Sequence, residues 1–118
     1  MQLTMFHSKI HRARVTASEL SYNGSFGVDS ALLKKARMLP GQQVDVLNVS
    51  NGERFTTYLI EEPAGSKAFG VYGAAAHKVK KGDIVILITY AHMDVEEARN
   101  YKPITLVMDE NNEIEAEL

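Results

Sequence analysis

The sequence contains no cysteine. Disulfides, thiolate nucleophiles and cysteine-rich zinc sites are excluded together. It also lacks a long apolar run. The longest, Ile84 to Tyr90, is far short of the roughly 20 residues that span a bilayer. The opening residues, Met1-Gln2-Leu3-Thr4-Met5-Phe6-His7, show no basic region followed by an apolar core, so no signal peptide is expected. Neither sign of charge dominates: 13 basic and 15 acidic residues leave a net charge of −2, which gives nucleic acid no electrostatic footing. Together these absences predict a soluble protein of a reducing compartment, with no nucleic-acid partner and no membrane partner. Room is scarce as well. A chain of 118 residues is one domain's length and cannot hold a TIM barrel of ~250 residues. No G-x-S-x-G, P-loop or dinucleotide fingerprint occurs.

What is present is a run of short segments separated by turn signals. Asn51-Gly52, between Val44–Val49 and Arg54–Ile60, predicts a hairpin with a type I′ turn. Pro40-Gly41, Pro63-Ala64-Gly65-Ser66 and Asn111-Asn112 end or break other elements. Lys81-Gly82-Asp83 precedes Ile84–Tyr90, whose apolar character on both faces predicts a central strand. Leu3–Val15 reads as one long strand, with Lys9, His11, Ala13 and Val15 on one face by the period of two. Helical signals are few. Asp29 is a cap for a helix over Ala31–Met38, Asp94 with Glu97 starts a helix ending near Asn100, and Thr16 with Glu19 has the spacing to cap a single turn. About seven strands with two or three short helices describe a small β-barrel with helical decoration. The acidic tail from Glu110 to Leu118 has no expected role beyond solubility. A metal site is not expected: His7 and His11 stand four apart, ~13 Å along a strand, too far to share one ion.

The informative stretch is Tyr22-Asn23-Gly24-Ser25. It is a turn by composition, but a serine hydroxyl can also attack the carbonyl of the residue before it, and glycine there leaves the approach open. Around it, Lys9-Ile10-His11-Arg12-Ala13, Val15-Thr16, Leu20, Tyr22 and Gly24-Ser25 resemble the processing region of the pyruvoyl-dependent L-aspartate α-decarboxylases. Asn48 through Tyr58, Gly73-Ala74-Ala75-Ala76-His77, Gly82 through Ile86 and Glu96 through Pro103 resemble further blocks of that family, in its order and spacing.

The resemblance implies a mainly β fold, a double-psi β-barrel with short decorating helices, assembled as a homotetramer in the cytoplasm. It implies one domain, 1–118, that cleaves itself into residues 1–24 and 25–118. Ser25 becomes a covalent pyruvoyl group, which forms a Schiff base with L-aspartate and serves the electron-sink role usually taken by pyridoxal phosphate. The product, β-alanine, feeds pantothenate synthesis. By resemblance Ser25 and Tyr58 are catalytic, Tyr58 as proton donor, and Gly24, Ser25 and Thr57 carry processing. Lys9, His11, Arg54, Thr57, Gly73, Ala74 and Ala75 bind substrate, with Tyr22 and Tyr72 accessory. No maturation factor is assigned. One position departs from the family: Tyr72 stands where asparagine is usual. The alternative reading is therefore a processing-impaired or silent barrel.

Overall fold

Strands form where branched and aromatic side chains alternate with polar ones, and helices are confined to two short capped α-helices and one 3-10 turn. The computed structural model describes residues 1–118. Its elements are β1 (Gln2–Arg14), β2 (Ala17–Glu19), β3 (Ser25–Asp29), α1 (Ser30–Lys35), β4 (Gln43–Asn48), β5 (Arg54–Glu62), β6 (Phe69–Tyr72), a 3-10 helix (Gly73–His77), β7 (Ile84–Asp94), α2 (Val95–Asn100), β8 (Ile104–Met108) and β9 (Ile114–Glu117). No helix is long and apolar enough to cross a membrane.

The strands hydrogen-bond in the order β2-β6-β3-β5-β4-β7-β1-β8-β9. Three pairs, β1/β8, β2/β6 and β3/β5, are parallel, and the other five are antiparallel. The order starts on β2 and comes round to β1, and these two are separated in the chain only by Val15 and Thr16. The covalent chain thus bridges the gap in the ladder. Bonds from Thr16 N to Phe69 O (2.8 Å) and from Val15 N to Asp83 O (2.9 Å) hold that bridge. This is the mainly β, double-psi barrel expected. Its interior is packed with Ile10, Phe26, Val28, Val46, Leu59, Phe69, Val71, Val85, Leu87 and Leu106, all fully buried. As expected, β7 is central, flanked by β1 and β4.

Several local expectations are corrected. There are nine strands rather than seven. Thr16 does not cap a helical turn: its hydroxyl and backbone both bond to Phe69, so Ala17–Glu19 pairs with β6 as a strand. The acidic tail is not merely a solvated end, because Ile114–Glu117 adds β9 to the edge of β8. The β4–β5 connection is not a two-residue type I′ turn, which needs two consecutive residues at positive φ. Only Gly52 is (φ 82°), and the chain uses a longer loop closed by Gly52 N to Asn48 O (2.8 Å). The helix after Asp29 stops at Lys35, three residues early. Arg37 takes a left-handed conformation (φ 59°), while Met38 N bonds to Leu33 O and Arg37 N to Lys34 O. That is the Schellman pattern of helix termination.

The correction with most consequence lies in β1. Lys9 and His11 do not share a face with Ala13 and Val15. Ile10 pairs with Leu87 and Ala13 with Val85, so three steps on β1 match two on β7. Arg12 (φ 68°) is the extra residue of a β-bulge. Beyond it the parity switches: Ala13 and Val15 turn into the core, while Lys9 and His11 stay outside, half-buried.

Candidate active site

Asp29 anchors the strand that carries Ser25. Its carboxylate accepts from Ala31 N (2.8 Å), Lys67 N (2.8 Å) and Gly65 N (3.1 Å). It thereby caps α1 and ties β3 to the turn before β6. Burial by itself would raise its pKa. The backbone N–H groups of Lys67, Ala31 and Gly65 outweigh burial and hold the carboxyl below its usual value.

At the other end of β3, Ser25 is 3% exposed and its hydroxyl donates to Asn23 O at 3.4 Å. Ser25 lies opposite Tyr72 in the antiparallel β3/β6 ladder. Gly73, at φ 76°, presses on the preceding segment: a Cβ there would fall 2.6 Å from both the N and Cα of Gly24. Only glycine permits that approach, so the Gly24–Ser25 peptide is braced by the end of β6.

Two cavities flank this peptide. One, of about 450 Å³, is lined by Tyr22, Asn23, Ser25, Tyr58, Ile60, Glu62 and Tyr72. The other, of about 300 Å³, is lined by Gly24, Phe55, Thr56, Thr57, Ala74, Ala75 and Lys78. Strand parity explains the split. Tyr58 and Thr57 are neighbours on β5 and point to opposite sides, yet each reaches a cavity bordering the same peptide bond. The small side chains of Ala74 and Ala75 leave the second cavity open. Their helix is held by Lys78 O, which accepts from Asn48 Nδ2 (3.0 Å) and Asn51 Nδ2 (2.9 Å). This gives the Asn48–Asn51 block a structural task.

Lys9, His11 and Arg54 line neither cavity. They sit on the outer face of the barrel. Lys9, Ile88, Asp45 and Thr56 form one row across β1, β7, β4 and β5, and Arg54 shares the side of Thr56. The Lys9 ammonium lies 5.7 Å from the centre of the Phe6 ring. Arg54 is four residues from Tyr58 on the same side of β5, ~13 Å apart along the strand. The His11 Nδ1 atom is buried without a hydrogen-bond partner. Burial, then the charges of Lys9 and Arg12, lower its pKa.

Comparison with known proteins settles the family. A sequence model described as aspartate decarboxylase matches residues 1–115. The chain belongs to the aspartate decarboxylase family. Among relatives of that family, aspartate 1-decarboxylase from Caulobacter vibrioides is 55% identical over 112 residues, covering 95% of each chain. The same-named protein from Phenylobacterium zucineum is 53% identical over 97% of each chain. That from Thermoanaerobacter pseudethanolicus is 52% identical over 95% of this chain and 96% of its own.

Against the family pattern, the residue the sequence reading missed is Glu62. The Tyr72 hydroxyl donates to Glu62 Oε2 at 2.5 Å. Burial, then the bond to Glu62 and its charge, push the Tyr72 phenol up to about 12. The signal was available: Tyr58, Ile60 and Glu62 share one parity on β5. The sequence pattern ends the strand at Ile60, whereas it runs to Glu62.

Proposed function

We propose that the chain is a self-cleaving proenzyme whose mature form converts L-aspartate to β-alanine and CO2, with β-alanine passing to pantothenate synthesis. The observation that carries this reading is the Gly24-Ser25 peptide, braced by Gly73 between two cavities, in a chain of this family.

In cleavage, Ser25 Oγ adds to the Gly24 carbonyl carbon. The C–N bond to Ser25 breaks and the hydroxyl proton passes to the freed nitrogen, leaving an ester. Thr57, on the side of the cavity that borders Gly24, stabilises the oxygen as it gains charge. Loss of the Ser25 Cα proton and of the Cβ–Oγ bond frees the Gly24 carboxylate and leaves a dehydroalanine. Water then displaces its nitrogen as ammonia. The products are residues 1–24 and 25–118, the second beginning with a pyruvoyl group.

The site fits such a group, because Ser25 borders a cavity of about 450 Å³ with room for a small amino acid. A pyruvoyl group would supply an electrophilic carbonyl for the substrate amine and, through conjugation, a sink for the electron pair left when CO2 departs. The chain's own residues do the rest. The Arg54 guanidinium grips a substrate carboxylate, with two parallel hydrogen bonds available. Lys9 adds charge, His11 contributes a hydrogen bond, and Gly73, Ala74 and Ala75 allow close approach of backbone. Tyr58, in the cavity of Ser25, returns a proton to the carbon that has lost CO2.

Lys9, His11 and Arg54 line neither cavity beside Ser25 within one chain, and a second copy, as in the expected homotetramer, completes the pocket. The exposed outer face and the unpartnered His11 Nδ1 support that assembly. Tyr72 does not favour a silent barrel, since its hydroxyl is turned to Glu62 and the cavity at Ser25 stays open.

Denaturing mass spectrometry after warm incubation is the test. Two fragments split before residue 25 are expected, together with CO2 from labelled aspartate. The Ser25→Ala variant is expected to stay folded and intact, with activity abolished. A wild-type chain that remains whole and releases no CO2 overturns the reading.

A further inference from the structure

The departure at position 72 is one part of a local arrangement. Gly27 and Gly70 face each other across the β3/β6 ladder, two residues along from the Ser25–Tyr72 pair. Neither has a Cβ, and the space is taken. A Cβ on Gly27 would lie 2.8 Å from Glu62 Oε2, and one on Gly70 would lie 2.7 Å from Tyr72 Cζ. The two glycines thus form a floor on which the Tyr72 ring and the Glu62 carboxylate lie, joined by their hydrogen bond. The far side of the Tyr72 ring meets Tyr22, with ring centres 5.8 Å apart and planes tilted by 40°. Tyr22 precedes the scissile peptide, and Tyr72 precedes the Gly73 that braces it.

We infer that Glu62 is a positioning residue for self-cleavage: by holding the Tyr72 hydroxyl it locks the end of β6, and through Gly73 and Tyr22 it fixes the Gly24–Ser25 peptide. The inference rests on the proposed cleavage at Ser25. Its physical basis is that a side chain pinned at its tip cannot rotate, and an aromatic ring anchored at both faces transmits that restraint to its own backbone. Attack within one peptide unit demands a narrow geometry. A loose Tyr72 leaves Gly73 free to withdraw from Gly24, and the reactive arrangement is visited less often. Glu62 makes no hydrogen bond to Gly24 or Ser25 and acts through Tyr72.

The test compares unprocessed chains carrying Glu62→Ala, Glu62→Gln, Tyr72→Phe and the Glu62→Ala/Tyr72→Phe pair, with cleavage followed by denaturing mass spectrometry. Glu62→Ala and Tyr72→Phe are each expected to slow cleavage about tenfold, and the double variant no further, because both remove one bond. Glu62→Gln keeps an acceptor oxygen and is expected to cleave at close to the wild-type rate. A second readout does not need cleavage. In a Ser25→Ala background, amide hydrogen exchange over residues 22–27 is expected to accelerate about tenfold on adding Glu62→Ala. Wild-type cleavage rates together with unchanged exchange overturn the inference, as do fully additive effects or a Glu62→Gln chain as slow as Glu62→Ala. If the wild-type chain itself never cleaves, the proposed function fails, and unchanged exchange over 22–27 then separately overturns the role of Glu62.

Discussion

The two faces of the barrel wall are made by the same strands and behave differently. The inner face is finished within one chain: Phe26, Leu59, Leu87 and Val46 are fully buried against one another. The outer face is unfinished. Tyr58 and Tyr90 remain 44% and 45% exposed, Ile88 lines an open cavity of about 240 Å³ with Asp45, Tyr90 and His92, and His11 Nδ1 has no partner. Nearly every residue with expected chemistry lies on that outer side or at the cavities beside Gly24. The buried core thus lies on one face, while most residues with expected chemistry lie on the other, Thr57 excepted. Adjacent residues on a single strand can serve the two ends independently, because the side-chain period is two.

Leu87 and Ile88 on β7 test this separation most sharply. Ile88→Glu puts a charge on the outer face, and it is expected to abolish assembly and with it decarboxylation, while the isolated chain keeps its fold. Analytical ultracentrifugation and circular dichroism read the two effects. A variant that still assembles would show that this face is not the contact. Leu87→Ala works the other way. Removing a fully buried side chain is expected to cost about 2–5 kcal/mol, seen as a lower urea midpoint, without selectively weakening assembly.

Arg54→Ala comes next. On the outer face it removes a carboxylate grip, so kcat/KM is expected to fall about 100-fold. Cleavage before residue 25 and the melting temperature are expected to stay close to wild type. Cleavage lost in step with kcat/KM would place Arg54 in processing.

Asp29 gives the smallest effect. Its folded pKa is lowered, so its contribution is present above the unfolded value of about 3.9 and is lost as pH falls through the folded value. Asp29→Asn is therefore expected to flatten the acid limb of urea midpoint against pH, below about pH 4. An unchanged limb would mean that the three N–H bonds to its carboxylate do not stabilise the fold.

Elements with strong local chemistry were legible in the sequence. The apolar run on both faces marked Ile84–Tyr90 as central, and it is. Asp94 caps α2 through Glu97 N at 2.9 Å, as its spacing predicts. Elements whose form depends on distant partners were not legible. Thr16 reads as a helix cap until Phe69 offers a backbone to bind. The tail reads as solvated until β8 offers an edge. The Arg12 bulge has no signature in composition, and a strand read with unbroken period put Lys9 and Ala13 on one face.

The same division holds at the site. The ordered blocks around Gly24-Ser25, Arg54 to Tyr58 and Gly73 to Ala75 were enough to identify the family and the expected chemistry, because that information is local and linear. Only the tertiary structure decided that Gly73 presses on Gly24, that Thr57 and Tyr58 reach the same peptide from opposite sides, and that Glu62 holds Tyr72. It also set Lys9, His11 and Arg54 away from Ser25. Each of these arrangements relates residues apart in the chain, fixed by register and by the bulge, and none is written in any short stretch of sequence.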